Sequence, residues 1–351
     1  MKKLLNNRLN LLLLKELCSG RGVNVNLSYL SKKLGRHRNT IRHRVEELFS
    51  QRILDRPICP FLGLYEEYPL LAVVRADLPS EKKIHDWIVS DKHIFAAFKF
   101  KSEEHNTILF QFHKDIHHYM IWRESLIEEN RIPSRATRRP SFPLFFTTRM
   151  MLKYSPNAAI KLIEERFDEK GELEINEFAL DETSIQILGT LIRGEGIGVN
   201  ESYLSKTLGV HRKTVFRRIY QLIDNRVILS PVCRFPNFFV PPNYLLVYAL
   251  VSIRDYARIL NELKNDPHIS IALKISLGRY NMLLFENHLT VEDHIRWEEY
   301  YDKRFPDIFE LANITYLAPK MAIIIDQQKV SMGIIEDKLS QLEKANRRHK
   351  Y

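Results

Sequence analysis

The sequence predicts an α+β chain in which one two-part unit, a helical module followed by a βαββαβ plait, occurs twice. Three observations predict it. First, NLSYLSKKLGRHRNT from Asn26 to Thr40 returns as NESYLSKTLGVHRKT from Asn200 to Thr214, an offset of 174 residues; self-similarity at this spacing marks a duplicated unit. Second, each copy holds two helical stretches broken by a short turn bearing Gly35 or Gly209, the helix-turn-helix pattern. Third, strand and helix patterns follow each copy in the order βαββαβ, that of a ferredoxin-like plait. The register continues through Arg44/Arg218, Leu48/Leu222, Arg52/Arg226, Pro57/Pro231 and Cys59/Cys233, then through Asn106/Asn281 and Trp122/Trp297 after one inserted residue.

Leu9 to Leu17 and Ile185 to Ile192 carry apolar residues at helical spacing, each followed by a Gly-bearing turn. Short helices from Ser28 and Ser202 end at Leu34 and Leu208, where glycine accepts the left-handed conformation past a helix end. A second helix then runs to about Gln51 or Asn225. Ile53 to Ile58 and Val227 to Val232 alternate as strands, and the Pro- and Phe-rich stretches beyond them suit a wing hairpin. In the first plait the pattern predicts strands at 70–76, 95–100, 107–112 and about 143–152, with helices at 81–89 and 115–129. The second repeats it with strands at 245–253, 269–275, 281–285 and about 321–325, and helices at 256–264 and 291–304. Helices at 156–167 and 329–345 close the two units.

The expected organisation is therefore a winged helix-turn-helix over 1–66, a ferredoxin-like effector-type domain over 67–154, and a linker with a helix over 155–179. A second winged helix-turn-helix (180–242), a second effector-type domain (243–326) and a C-terminal helix with basic tail (327–351) follow.

A chain of 351 residues, 45% hydrophobic and 27% charged, has the composition of a globular protein. The apolar run Leu11 to Leu14 is far too short for a bilayer helix and lacks a signal-peptide cleavage site, so the expected location is the cytoplasm, away from membranes. Three cysteines cannot build a disulfide framework, and Cys59 and Cys233 are expected as buried thiols. The net charge of +10 favours a polyanionic partner. Its distribution is uneven: nine Lys/Arg against three acids fall between Arg21 and Arg56, and six against three between Glu195 and Ser230.

A DNA-reading helix needs one apolar face docked inward and an outer face of long polar side chains. Ile41, Val45 and Leu48 supply the inner face of the first, leaving Arg36, His37, Arg38, Asn39, Thr40, Arg42, His43 and Arg44 for DNA. In the second, Val215, Ile219 and Leu222 face inward, and His211, Arg212, Lys213, Thr214, Phe216, Arg217 and Arg218 face out. Arg pairs with guanine and Asn with adenine, whereas phosphate contacts only position the protein. The bland alternative is a solvated helical face used in protein contacts.

The pattern Leu27-x-x-Leu30-Ser31-x-x-Leu34-Gly35, with Thr40, Ile41, Arg44, Val45 and Leu48, repeated from Tyr203 to Leu222, resembles the winged helix-turn-helix of the Lrp/AsnC transcription regulators. Leu180 to Leu188 is similar to that family's opening helix, and Ser276 to Phe285 resembles the turn between strands two and three of its effector domain. The resemblance implies a sequence-specific regulator of double-stranded DNA and no enzyme. Both recognition helices would sit in one chain as an intramolecular pseudo-dimer, with a homodimer through the effector-type domains as a further assembly. It also implies a small-molecule effector such as an amino acid at Gly278, Arg279 and Asn281. His37 and His211 depart from it, standing where the family has a capping serine, and the first unit lacks the effector-turn glycine.

No cofactor and no metal are expected: there is no CxxC or HExxH, and His113, His117 and His118 read as solvated histidines on a helix surface. Trp122 and Trp297 read as core anchors, and Arg135, Arg138 and Arg139 as DNA-backbone contacts or a soluble loop. Two alternatives stand beside the regulator: a protein-only adaptor, and a tetrapyrrole-binding decarboxylase, since siroheme decarboxylases resemble the same regulators in fold. The latter calls for cationic and histidine side chains converging on a tetrapyrrole pocket, and the His-rich effector-domain signature of those enzymes is not recognisable in this sequence.

Overall fold

A computed structural model describes residues 2–59, 64–100, 104–128, 141–155, 160–175, 177–229, 231–235, 243–276, 278–318, 321–325 and 327–348. Arg135, Arg138, Arg139 and most of the expected wing tips lie outside the described residues. In chain order the strands begin with β1 Val23–Val25, β2 Leu70–Ala76, β3 Ile94–Lys99, β4 Thr107–His113, β5 Phe142–Phe146, β6 Met151–Tyr154 and β7 Leu173–Ile175. They continue with β8 Phe178–Leu180, β9 Ile197–Val199, β10 Leu245–Ile253, β11 Ile269–Lys274, β12 Met282–His288, β13 Phe309–Leu317 and β14 Ala322–Ile325. The chain folds as two compact units: one takes residues 1–68, 186–234 and 326–351, the other 69–185 and 235–325.

The first unit gathers both helix-turn-helix copies. In each, an asparagine opens the first helix: Asn26 accepts from the Tyr29 amide at 3.0 Å, and Asn200 from the Tyr203 amide at 3.1 Å. Gly35 and Gly209, both at φ 62°, end those helices in the left-handed conformation. The second helices of the two copies are Arg38–Ser50 and Arg212–Asp224, and their buried residues are Ile41, Val45 and Leu48, and Val215, Ile219 and Leu222. His37 and His211 cap them: each offers Nδ1 to the amide two residues on, at 3.2 Å. An imidazole nitrogen thus replaces the hydroxyl usual there.

The two copies are tied by an antiparallel ribbon in which Val23 pairs with Val199 and Val25 with Ile197. The tie is reciprocal. A Cβ on Gly22 would lie 2.6 Å from Leu204, and one on Gly196 would lie 2.6 Å from Leu30, so each copy's glycine admits the other's buried leucine. Among the described residues 53–58 and 227–232 form no strand of their own, and Ile58 and Val232 make an antiparallel bridge across the two copies. The C-terminal helix Gln327–Arg348 carries Glu336 to within 3.1 Å of Lys15 on helix Arg8–Cys18.

The second unit is two antiparallel sheets of one topology, ordered β14-β3-β4-β2-β5 and β13-β10-β12-β11-β6. The four-stranded part of each is a ferredoxin-like plait. One face carries two helices: Lys82–Ser90 and Ile116–Glu128 pack on Ala72, Val74 and Leu109, while Tyr256–Asn265 and Val291–Arg304 pack on Val247, Ala249 and Leu284. The opposite faces meet each other, with Phe110 and Phe285 ring centroids 5.1 Å apart.

The edges correct the expected strand assignment. The last strand of the second plait is β13, whose mostly exposed, polar sequence FELANITYL hides the alternation a sequence reading relies on. The expected strand near 321–325 does form, as β14, but it pairs with β3 of the first plait. The first plait returns the exchange: β5 completes it, and β6 crosses to pair with β11 of the second.

Candidate functional site

The duplication places one polar frame at the same corner of both plaits. In the first, Asp91 accepts from the indoles of Trp87 and Trp122 at 3.1 and 3.0 Å and from the His93 amide at 2.8 Å. In the second, Asp266 accepts from the Trp297 indole at 2.7 Å, the Tyr301 hydroxyl at 2.8 Å and the His268 amide at 2.8 Å. Burial opposes the charge on Asp266, but the bonds from His268, Trp297 and Tyr301 outweigh it and hold its carboxyl below the usual range. Each frame stacks two imidazoles: His93 on His113 at 4.8 Å and 14°, His268 on His288 at 4.8 Å and 17°.

These histidines correct the sequence reading. His113 lies on β4, not on a helix, and is fully buried; only His117 is a solvated helix residue. Burial, with His93 and His118 alongside, drives the His113 pKa down to about 2. Pairing of β3 with β4 brings His93 and His113 together across twenty residues of sequence, which linear spacing does not reveal. The repeat itself held the missed signal, since Asp91, His93 and His113 recur at 266, 268 and 288, just before one largely apolar strand and at the end of the next.

The second corner opens into a cavity of about 600 Å³ lined by Arg166, Asp266, His268, His288, Arg296 and Trp297, among others. That volume suits a sizeable organic ligand. Its lining is mixed in charge: Arg166 and Arg296 stand among Glu165, Glu169, Glu262, Asp266 and Asp293, and Arg296 lies 3.2 Å from Asp293; the first plait has Ile121 at the position matching Arg296. Arg166 Nε is buried with no hydrogen-bond partner among the described residues, a donor left for an anion. His268 Nδ1 lies 3.0 Å from Asp266 Oδ1, which fixes its ring against the cavity wall. Behind it, Glu286 Oε2 lies 3.1 Å from His288 Nε2 and 3.3 Å from His294 Nε2. Burial works against charge on all three, yet the contacts with Glu286 raise the His294 pKa and those with the imidazoles lower that of Glu286, while His288 stays lowered. The shifts thus favour the charged forms of Glu286 and His294 and the neutral form of His288.

The other expected site residues lie apart from this corner. On or just before the second helix of each copy, Arg36, His37, Arg38, Asn39, Thr40, Arg42 and His43 are exposed, as are His211, Arg212, Lys213, Phe216 and Arg217. Arg44, Thr214 and Arg218 are half-buried, and Arg44 Nη1 reaches Glu47 at 2.8 Å. Arg212 is paired with Glu201 at 2.8 Å. At the expected effector turn, Gly278 and Arg279 are exposed, but the Asn281 side chain is occupied: it accepts from the Ile253 amide and donates to the Ile253 carbonyl, both at 2.8 Å. Asn106 does the same at Leu78, at 3.0 and 2.8 Å, so both asparagines staple β-strand ends.

The fold is thus two helix-turn-helix copies and two face-packed ferredoxin-like plaits in one chain. Along its whole length the chain is similar to the crystal structure of the siroheme decarboxylase NirDL, with a TM-score of 0.52 and 9% identity over 96% of this chain and 100% of that one. The same enzyme in complex with an iron-uroporphyrin III analogue matches over the same spans at 0.51. An AsnC family transcriptional regulator from Agrobacterium tumefaciens aligns over 40% of this chain and 94% of its own, at 16% identity and a TM-score of 0.30. No protein-family model and no curated protein matches the sequence. The full-length match corrects the expectation that the chain is no enzyme: this architecture, end to end, is that of an enzyme, so the fold does not single out a regulator. Among the described residues no helix is long and apolar enough to cross a membrane.

Proposed function

We propose that the chain is a decarboxylase acting on a tetrapyrrole with acidic side chains. The observation that carries this reading is the cavity of about 600 Å³ on the second plait, where Arg166 and Arg296 converge with His268, His288 and Trp297. A polycarboxylate macrocycle needs an apolar surface for its ring and cations for its rim; Leu162, Pro267, Leu289 and Trp297 line the cavity on the first count and the two arginines on the second. Loss of carbon dioxide from an acetate arm breaks the bond between its methylene and carboxyl carbons. The electron pair stays on the methylene, spread into the adjoining pyrrole, and one proton must reach that carbon to leave a methyl group. His268, its ring held by Asp266, is the side chain on this wall placed to deliver that proton. The arginines bind the remaining carboxylates and so fix which arm faces His268. The test is to add iron-uroporphyrin III or siroheme to the full-length protein. A shift of the ligand's main visible band and stepwise loss of carboxyl groups by mass spectrometry are expected. An unchanged spectrum and intact ligand overturn the reading.

A second reading, double-stranded DNA as a partner of the helical unit, is favoured by the exposure of Arg36, Arg38, Asn39 and Arg42 on one recognition helix and of Lys213 and Arg217 on the other. It predicts a mobility shift on duplex DNA that weakens steeply with salt, by about 0.9 in logarithmic slope per phosphate contact. No shift at low salt removes it.

A further inference from the structure

Alternation along β12 places Glu286 and His288 on the face shared with Leu284, which the helix Val291–Arg304 covers. That helix brings His294, one turn before Trp297, down onto the same spot. Three side chains from two elements thus aim one donor atom each at a common point: the donors lie within 4.8 Å of one another, and all three residues are 1% exposed.

We propose that Glu286, His288 and His294 form a binding site for one divalent transition cation of the zinc class. Bonds of about 2.0–2.1 Å to nitrogen and oxygen in tetrahedral array place neighbouring donors roughly 3.3 Å apart. The carboxylate oxygen stands 3.1 and 3.3 Å from the two imidazole nitrogens, so a small sideways adjustment seats the ion. Two imidazoles and one carboxylate suit zinc, iron(II) or cobalt(II), whereas calcium and magnesium favour all-oxygen sets. The surroundings fit too. A ligating imidazole is usually fixed through its other nitrogen, and His294 Nδ1 is 3.2 Å from the Tyr316 hydroxyl and 3.7 Å from Glu298. The second carboxylate oxygen, Glu286 Oε1, is buried with no hydrogen-bond partner among the described residues, and so is His288 Nδ1. A cation offsets the cost of leaving that carboxylate half satisfied.

The duplication supplies the control. At the matching positions of the first plait stand Gln111 and Tyr119 in place of Glu286 and His294, with His113 in place of His288. Gln111 and Tyr119 pack there without disrupting the same topology, so Glu286→Gln and His294→Tyr are substitutions this corner accommodates.

Full-length protein purified in chelator and titrated with zinc, then with cobalt(II), is expected to bind one equivalent, to gain visible cobalt bands of a low-coordinate site, and to melt at a higher temperature with zinc. E286Q and H294Y are expected to lose on the order of 100-fold in affinity while melting like the metal-free parent. Binding well below one equivalent by the unsubstituted protein overturns the proposal even if a variant fails to fold. So does one equivalent bound equally by both variants. None of these readouts involves a tetrapyrrole, so the metal site and the decarboxylase reading fail separately.

Discussion

The two plaits share a topology and a polar frame yet differ in what the frame holds. Asp91 and Asp266 tie tryptophan indoles and histidine amides alike, and Asn106 and Asn281 staple equivalent strand ends. These groups satisfy buried backbone and indole donors, so changing one leaves an unpaired polar atom in both copies. Where the side chain only meets another side chain, the copies diverge. His113 Nε2 faces the neutral Gln111 at 2.9 Å, and His288 Nε2 faces the carboxylate of Glu286 at 3.1 Å. Each corner adds a third imidazole, His118 in the first and His294 in the second, but only the second sets a buried carboxylate, Glu286, against its imidazoles and opens into the large cavity. The scaffold is common to both copies; the side chains that fill its corner are not.

The sharpest test of that asymmetry is His268→Gln against His93→Gln. If the second plait does the chemistry, the first substitution lowers decarboxylation by roughly 10²–10⁴-fold, the usual worth of a positioned acid, and the second leaves turnover near the parent level. Equal losses break the comparison. Next in size, Arg166→Ala removes a donor to a carboxylate, about 1.5–3 kcal/mol, and should weaken tetrapyrrole binding about 10–100-fold in a spectral titration; unchanged affinity would mean the ligand sits elsewhere.

The frame should instead respond symmetrically. Asn106→Ala and Asn281→Ala each unpair buried backbone groups and are expected to cost about 1–3 kcal/mol in urea unfolding; a large difference between them would show that the staples are not equivalent.

Of similar size is the acid sensitivity of the first corner. His113 holds a folded pKa of about 2, pushed down by burial, whereas the unfolded chain takes up the proton near the ordinary 6.5. Below that value the unfolded state binds more protons, so stability falls with pH, by at most about 1.4 kcal/mol per pH unit for this one group. His113→Gln should flatten the unfolding midpoint between pH 6 and pH 4, and an unaltered slope would refute the assignment.

How much of this was legible in advance follows interaction range. The repeat, the helix-turn-helix halves and the βαββαβ order were legible because apolar periodicity, Asn caps and the Gly35 and Gly209 stops act within a few residues. The histidine corners were not. His113 was read as part of a helix because Asp115 to Glu129 dominates its neighbourhood, and only β3–β4 pairing shows that its ring is inside. The 321–325 strand was legible as a strand but not by destination.

The amino-acid order alone determined that two copies of one unit exist, which faces of their helix-turn-helix segments are apolar, and where those segments start and stop. Only the tertiary structure decided which sheet edges β6 and β14 complete, that Gly22 and Gly196 admit each other's leucines, and that one corner gathers Glu286, His288 and His294 while its twin gathers none of that charge. Helix periodicity and capping are settled between neighbours in the chain. Edge pairing and the burial of an imidazole are settled between residues tens to hundreds of positions apart, where burial and pairing free energies outweigh local preference.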